Sequence, residues 1–119
     1  MPGLPRVRRD GNDLVTVLDL PFTRAALGTT VAVETLEGAE DIEVRPGTQP
    51  GEVIVLRGRG IPVLGGRGRG DHRIVVGVML PRKLTDEQRA LLQQFEAGVD
   101  DATYAPDESF LGRLRAAFR

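Results

Sequence analysis

The residue types that carry most enzyme chemistry are scarce in this chain of 119 residues. There is no cysteine, which excludes disulfides, thiolate nucleophiles and cysteine-based zinc sites. The single histidine, His72, and the single serine, Ser109, lie far apart in the sequence, and a serine triad would need both. A metal site would have to rely on carboxylates without imidazoles. The sequence therefore predicts a protein that is not an enzyme and that uses no metal or cofactor. We expect His72, at the entrance of a predicted strand, to face solvent or to lie at a sheet edge rather than to act as a ligand.

The arginine–glycine loop, residues 57–71, contains four arginines and six glycines. It is not a phosphate-binding loop, because it lacks both the Gly-x-Gly-x-x-Gly spacing and a Lys-Ser/Thr pair. The tripeptide Arg69-Gly70-Asp71 could support adhesion only in a secreted protein, and the chain shows no export signal. A nucleic-acid-binding loop remains an alternative, although no aromatic side chains are interleaved to stack on bases. The simpler interpretation is a long connection between strands, in which glycines permit positive φ and close backbone approach.

An acidic hairpin with its turn at Glu37-Gly38 provides the other concentration of charge. Acidic residues alternate with apolar ones here, and successive side chains of a strand point to opposite faces, so we expect the carboxylates to face solvent. The loop arginines could pair with them there. The acidic residues are Glu34, Glu37, Glu40, Asp41 and Glu43. The net charge of −1 provides no general attraction to nucleic acids or acidic membranes.

Residues 12–81 form the β-rich part of the chain. Short aliphatic runs separated by Gly and Pro turns predict a mainly β fold, a small antiparallel two-layer β-sandwich or open barrel. The predicted strands are 14–20, 30–36, 41–45, 53–56 and 74–80. A short helix with Thr23 as N-cap and Gly28 as C-cap interrupts them, and Phe22 and Leu27 would close one end of the sandwich. Residues 1–11 are basic and lack apolar periodicity, so we interpret them as a lead-in segment.

The remaining residues have helical patterns. A helix is predicted within 82–98, since Thr85 and Gln88 fit a capping box and Gly98 a helix stop. It carries an apolar stripe of Leu91, Leu92 and Phe95. Residues 99–119 read as a linker and a C-terminal amphipathic helix. The helices could pack on their own sandwich or on a second copy of the chain, and both alternatives remain open.

Seven short segments follow one another in the order found in a known family. They are 10–14 (Asp-Gly-Asn-Asp-Leu), 25–28 (Ala-Ala-Leu-Gly), 35–38 (Thr-Leu-Glu-Gly), 46–51 (Pro-Gly-Thr-Gln-Pro-Gly), 56–60 (Leu-Arg-Gly-Arg-Gly), 69–71 (Arg-Gly-Asp) and 81–85 (Pro-Arg-Lys-Leu-Thr). Across about residues 9–97 the chain resembles the C-terminal region of bacterial DnaJ-type J-domain co-chaperones, namely the second β-sandwich domain with its dimerisation helix and tail.

The resemblance implies a cytoplasmic, non-catalytic co-chaperone module. It would dimerise and help to bind unfolded client proteins, which the full-length protein delivers to a DnaK-type chaperone; no membrane partner is expected. The family's J-domain His-Pro-Asp motif does not occur in this sequence, since His72 is followed by Arg73, and neither do its Cys-x-x-Cys zinc motifs. On the resemblance, the family's first β-sandwich domain would precede Arg9. Residues 1–11 would lead in from that preceding domain. Phe22 and Leu27 are the possible client-binding residues. The expected dimer contacts are Leu84, Leu91, Leu92, Phe95, Phe110, Leu111, Leu114 and Phe118.

Overall fold

The computed structural model describes residues 6–105, and the chain divides after Pro81 into two compact units. The elements in chain order are β1 (Arg6–Asp10), β2 (Asp13–Pro21), α1 (Phe22–Leu27), β3 (Thr29–Thr35), β4 (Gly38–Val44), β5 (Val53–Leu56), β6 (His72–Met79) and α2 (Asp86–Ala97). Neither α1 nor α2 has the length and apolar character needed to span a bilayer. The prediction of a mainly β fold with a short inserted helix is confirmed.

The strands form two sheets, one of four strands in the order β1-β2-β6-β5 and one of two strands, β3-β4. Three of the four strand pairings are antiparallel, as predicted, but the central pair β2–β6 is parallel. A parallel pair needs a long connection, and here α1, the β3–β4 sheet and β5 lie in the chain between β2 and β6. The two neighbours in the middle of the larger sheet are therefore far apart in sequence.

Alternation along β2 and β6 builds the core between the two sheets. Every second residue of β2 is buried from Leu14 to Leu20, and the same holds for β6 from His72 to Val76. Successive side chains of a strand point to opposite faces, so one face of each strand supplies this core. The residues of the buried apolar cluster are Leu18, Leu20, Val33, Ile42, Val44, Ile74 and Val76.

Residues 6–10, interpreted above as part of a lead-in segment, form the edge strand β1. They pair antiparallel with β2, with Arg9 opposite Leu14, and Gly11 takes a φ of 62° in the turn between the strands. Strand pairing requires only backbone groups, and charged side chains are common on sheet edges. The apolar alternation used to find the other strands is therefore absent here.

The ends of the helices agree with the sequence at some positions and differ at others. Thr23 is not the N-cap of α1, because the helix begins at Phe22 with Pro21 as its cap and no side-chain capping bond. Gly28 is the C-cap, with a φ of 85°, and a Cβ there would lie 2.9 Å from Cγ of Pro46. The capping box of α2 is confirmed: the Gln88 N–H donates to the Thr85 hydroxyl (3.1 Å), and the Thr85 N–H donates to the Gln88 side chain (2.9 Å).

Candidate functional site

The arginine–glycine loop connects β5 to β6, and its backbone is hydrogen-bonded to the turn between β1 and β2. The N–H of Ile61 donates to the carbonyl of Asn12 at 2.8 Å, and Gly60 N–H donates to the carbonyl of Gly70 at the same distance. A Cβ at Gly60 or Gly70 would lie 2.6 Å or 1.9 Å from the Asn12 oxygen. Only glycine permits these approaches, which is the role that the simpler interpretation gave to the loop glycines.

Two loop arginines bind the acidic hairpin, as the sequence analysis suggested. Arg59 lies 3.1 Å from Glu37 and 3.2 Å from Glu40, and Arg69 forms a further ion pair with Glu37. These side chains are between a quarter and a half exposed, so each pair contributes only about 0–1 kcal/mol. The pairs neutralise part of the loop's positive charge, which weakens its case as a nucleic-acid-binding surface.

The prediction that His72 faces solvent or lies at a sheet edge is wrong, because β6 lies between β2 and β5 in the larger sheet. The side chain is 1% exposed, and its Nε2 lies 2.6 Å from the hydroxyl of Thr16. Its Nδ1 has no hydrogen-bond partner among the described residues. Burial lowers the pKa of His72, and the carboxylate of Glu40 partly opposes that shift. A signal was available in the sequence, since His72 has the same strand parity as Ile74 and Val76, the buried residues of β6.

The position of Glu40 also departs from the expected solvated row of carboxylates. It lies on the same face of β4 as Ile42 and Val44, which are buried, and its own exposure is intermediate. Arg59 bonds it at the rim of the core. The hydroxyl of Thr16 and the imidazole of His72 are both buried, so solvent and substrate do not reach this pair. Ser109, which a serine triad would require, lies outside the described residues. Within residues 6–105 no group of three or more potential metal ligands occurs.

Phe22 and Leu27, the possible client-binding residues, occupy different surroundings. Phe22 is half-buried and lines an open hollow of about 190 Å³ where β6 ends and α1 begins. Leu27 is 75% exposed and is not part of that hollow, so the two residues do not jointly close an end of the sandwich. The hollow is lined by Pro21, Phe22, Thr23, Met79, Leu80 and Pro81.

The expected dimer contacts fall partly on α2. Leu91 and Phe95 are 64% and 56% exposed, whereas Leu84 and Leu92 are half-buried. No residue of α2 is buried. The other four expected contacts, Phe110, Leu111, Leu114 and Phe118, lie outside the described residues.

Comparison with known proteins connects this fold to one family. The model of the DnaJ C-terminal domain matches residues 4–81. Chaperone protein DnaJ of Ruminiclostridium cellulolyticum is 40% identical over 115 residues, which cover 97% of this chain and 30% of that protein. Chaperone protein DnaJ of a Roseiflexus species is 40% identical over 115 residues, covering 95% of this chain and 31% of that protein. Chaperone protein DnaJ of Geobacillus kaustophilus is 38% identical over 113 residues, which cover 94% of this chain and 30% of that protein.

The chain thus spans about 30% of the length of the curated relatives it matches. The matched range 4–81 includes β1 to β6 together with the arginine–glycine loop and the acidic hairpin that it binds. The resemblance drawn from the seven sequence segments is therefore confirmed. On the strength of this match over most of its length, the chain belongs to the DnaJ C-terminal domain family.

Proposed function

We propose that this chain is a non-catalytic co-chaperone module that joins two protomers and contributes to the binding of non-native polypeptides. The full-length protein would deliver those polypeptides to a DnaK-type chaperone. Membership of the DnaJ C-terminal domain family supports this proposal, as do relatives named as chaperone proteins. The proposed work of the module is binding, which agrees with the scarcity of catalytic residue types in the sequence.

The exposed apolar stripe of α2 carries the dimer proposal. Leu91 and Phe95 expose more than half of their surface on a helix that buries no residue. Because each is only a little over half exposed, burying these two side chains from each of two protomers would yield about 4–7 kcal/mol, at about 1–2 kcal/mol each. Association costs about 4–15 kcal/mol. The gain from these side chains reaches only the low end of that cost, so a stable dimer requires further apolar contacts, for which Leu84, Leu92 and the residues between 110 and 118 are the candidates.

Dimerisation would also serve client binding. Two modules held together can engage two segments of one unfolded chain, and linking sites in this way raises avidity by about 10²–10⁴-fold. In the proposal, Leu27 and the hollow beside Phe22 provide apolar surface for such segments. An interface between two identical copies related by a two-fold axis would use the same helix from each.

Sedimentation of the full chain over a range from low to high micromolar concentration tests the dimer. We expect the wild type to shift towards twice the monomer mass and the variant Leu91→Asp with Phe95→Asp to remain monomeric. The matched control is Ala90→Asp with Gln93→Asp, which adds the same charge on the opposite side of α2 and should leave dimerisation intact. A wild type that stays monomeric throughout the range contradicts this part of the proposal.

Binding to reduced, carboxymethylated α-lactalbumin, which cannot refold, tests the client-binding part. We expect Phe22→Ser and Leu27→Ser to weaken binding. Leu36→Ser is the control, since Leu36 is 57% exposed in the β3–β4 turn and belongs to no proposed site. No binding by the wild type, or equal loss in all three variants, contradicts the assignment of these residues.

A further inference from the structure

The two outer strands of the four-stranded sheet differ in their chemistry. β1 has three arginines and an aspartate among its five residues, whereas β5 reads Val-Ile-Val-Leu. Among the strands that the structure describes, β5 alone has no ionisable side chain. Charged side chains on an outer strand discourage another chain from pairing with it, and an uncharged aliphatic edge lacks that protection.

The register of β5 determines where its backbone groups point. Val76 N–H donates to the carbonyl of Glu52 at 2.9 Å, and Gly51 N–H donates to the carbonyl of Val76 at 2.8 Å. With Gly51 at a φ of 89°, this is a bulge of the glycine type, in which Glu52 faces Val76. Hydrogen-bonded and non-bonded pairs alternate along an antiparallel ladder, so Ile54 is the next residue bonded to β6. Val53 therefore directs its N–H and C=O away from β6, towards the free edge, and Val55 does the same.

The same two valines also expose their side chains. Val53 and Val55 are 50% and 44% exposed on the sheet face that points away from the core. Ile54 and Leu56, with the opposite parity, pack against the core cluster. No other strand among residues 6–105 pairs with this edge of β5. Within that range β5 therefore presents backbone groups without a strand partner and apolar side chains at the same positions, which are the two contacts made when a peptide adds to a sheet.

We propose that the free edge of β5 binds an uncharged, extended segment of a non-native polypeptide as an additional strand of the sheet. This inference rests on the proposed client-binding function and names where and how a client segment would bind. Strand addition would form backbone hydrogen bonds to the two N–H and two C=O groups of Val53 and Val55. Alternate side chains of the segment would pack beside the same valines.

The small size of the edge favours a transient client segment over a second copy of the chain. A stable interface buries about 800 Å² on each partner. A strand of four residues with two half-exposed valines offers much less. It suits one short segment that is bound and released. Glu52 and Arg57 border the strand, so its apolar part is confined to residues 53–56.

Amide hydrogen exchange on the full chain tests the geometry. The probe is a peptide of eight residues in all: a lysine at each end and, between them, six residues that alternate valine and threonine. At saturating peptide we expect exchange at Val53 and Val55 to slow by about tenfold or more, because these amides become hydrogen-bonded. The Ile54 amide, already within the ladder, should change by less than about twofold. Unchanged exchange at Val53 and Val55 overturns the proposal, and so does their protection at high protein concentration without peptide, which would indicate pairing between copies.

A modified probe separates backbone pairing from apolar adhesion without altering the protein. The same peptide with every backbone amide methylated keeps its side chains but cannot donate hydrogen bonds. We expect its affinity to fall by about tenfold or more, as for the loss of more than one hydrogen bond. Equal affinity of the two peptides overturns strand addition.

Variants then connect the edge to client binding. Val53→Lys with Val55→Lys should weaken binding of reduced, carboxymethylated α-lactalbumin by about tenfold, since charge on an edge opposes pairing. Val7→Lys is the control, because Val7 is also an exposed valine on an outer strand. Both should keep the wild-type circular dichroism. If the wild type binds the client and the β5 variant binds equally well, the edge proposal fails and client binding stands. If the wild type binds no client, both fail.

Discussion

The hydroxyl of Thr16 lies 2.6 Å from Nε2 of His72, and both side chains are 1% exposed. Thr16 belongs to β2 and His72 to β6, the parallel pair in the middle of the larger sheet. One hydrogen bond thus joins strands that are distant in the sequence, inside a core otherwise built of aliphatic side chains. A buried polar pair of this kind stabilises the fold only while both members are present, because either one left alone is an unsatisfied group.

Replacing Thr16 by valine tests that dependence. Thr16→Val preserves shape but leaves Nε2 of His72 without its partner, so we expect the free energy of unfolding to fall by about 1–3 kcal/mol. Thr16→Val with His72→Leu should recover part of that loss, since removing both polar groups removes the desolvation penalty. Urea denaturation measures both, with Thr30→Val on the exposed face of β3 as the control. A double variant less stable than Thr16→Val would contradict the explanation.

The stability of the β-sandwich should depend on pH through His72. Burial lowers the pKa of His72 below the ordinary histidine value of 6.5, and Glu40 opposes the shift. Below pH 6.5 the unfolded chain therefore binds more protons at this residue than the folded chain. The contribution of His72 to stability is complete above that pH and is lost as the pH falls through the lowered pKa. The urea midpoint of the wild type, measured over a pH series, should show a pH-dependent change that the His72→Leu variant lacks. Identical pH profiles of the two proteins would exclude this contribution of His72.

The close approach at Gly70 should tolerate no side chain. A Cβ there would lie 1.9 Å from the carbonyl oxygen of Asn12, a backbone atom that cannot rotate away. We expect Gly70→Ala to destabilise the fold by about 1–3 kcal/mol or more, as overpacking does. Gly98→Ala is the matched control, since its nearest neighbour would be 3.7 Å away. Thermal unfolding of both variants measures the difference, and equal melting temperatures would show that the loop moves aside.

The ion pairs between the arginine–glycine loop and the acidic hairpin should contribute little to stability. Glu37 binds both Arg59 and Arg69, yet its side chain is 47% exposed. Exposed pairs are typically worth about 0–1 kcal/mol, so Glu37→Gln should lower the free energy of unfolding by less than about 1 kcal/mol. Added salt should reduce the difference from the wild type further. A larger, salt-independent loss would mean that these pairs hold the loop in place.

Particular residues show which elements and side-chain positions could be predicted from sequence patterns. The parity of Ile42 and Val44 located β4, and the capping box of Thr85 and Gln88 located α2, because both signals depend on neighbours in the sequence. The same parity applied to His72 and Glu40 would have placed the one inside the core and the other at its rim. The polar character of His72 and Glu40 suggested instead that both side chains face solvent. β1 was missed because its arginines hide the alternation that identifies a strand.

The amino-acid sequence by itself indicated β2 to β6, α1 and α2, the aliphatic core, the turns that need glycine and the family to which the chain belongs. These follow from local spacing and from residue identity. The tertiary structure decided the parallel pairing of β2 with β6, the burial of His72 against Thr16, the pairing of Arg59 and Arg69 with Glu37, and the charge-free outer edge at β5. Each of these depends on which strands become neighbours, and long-range pairing is set by packing of the whole core rather than by any local pattern.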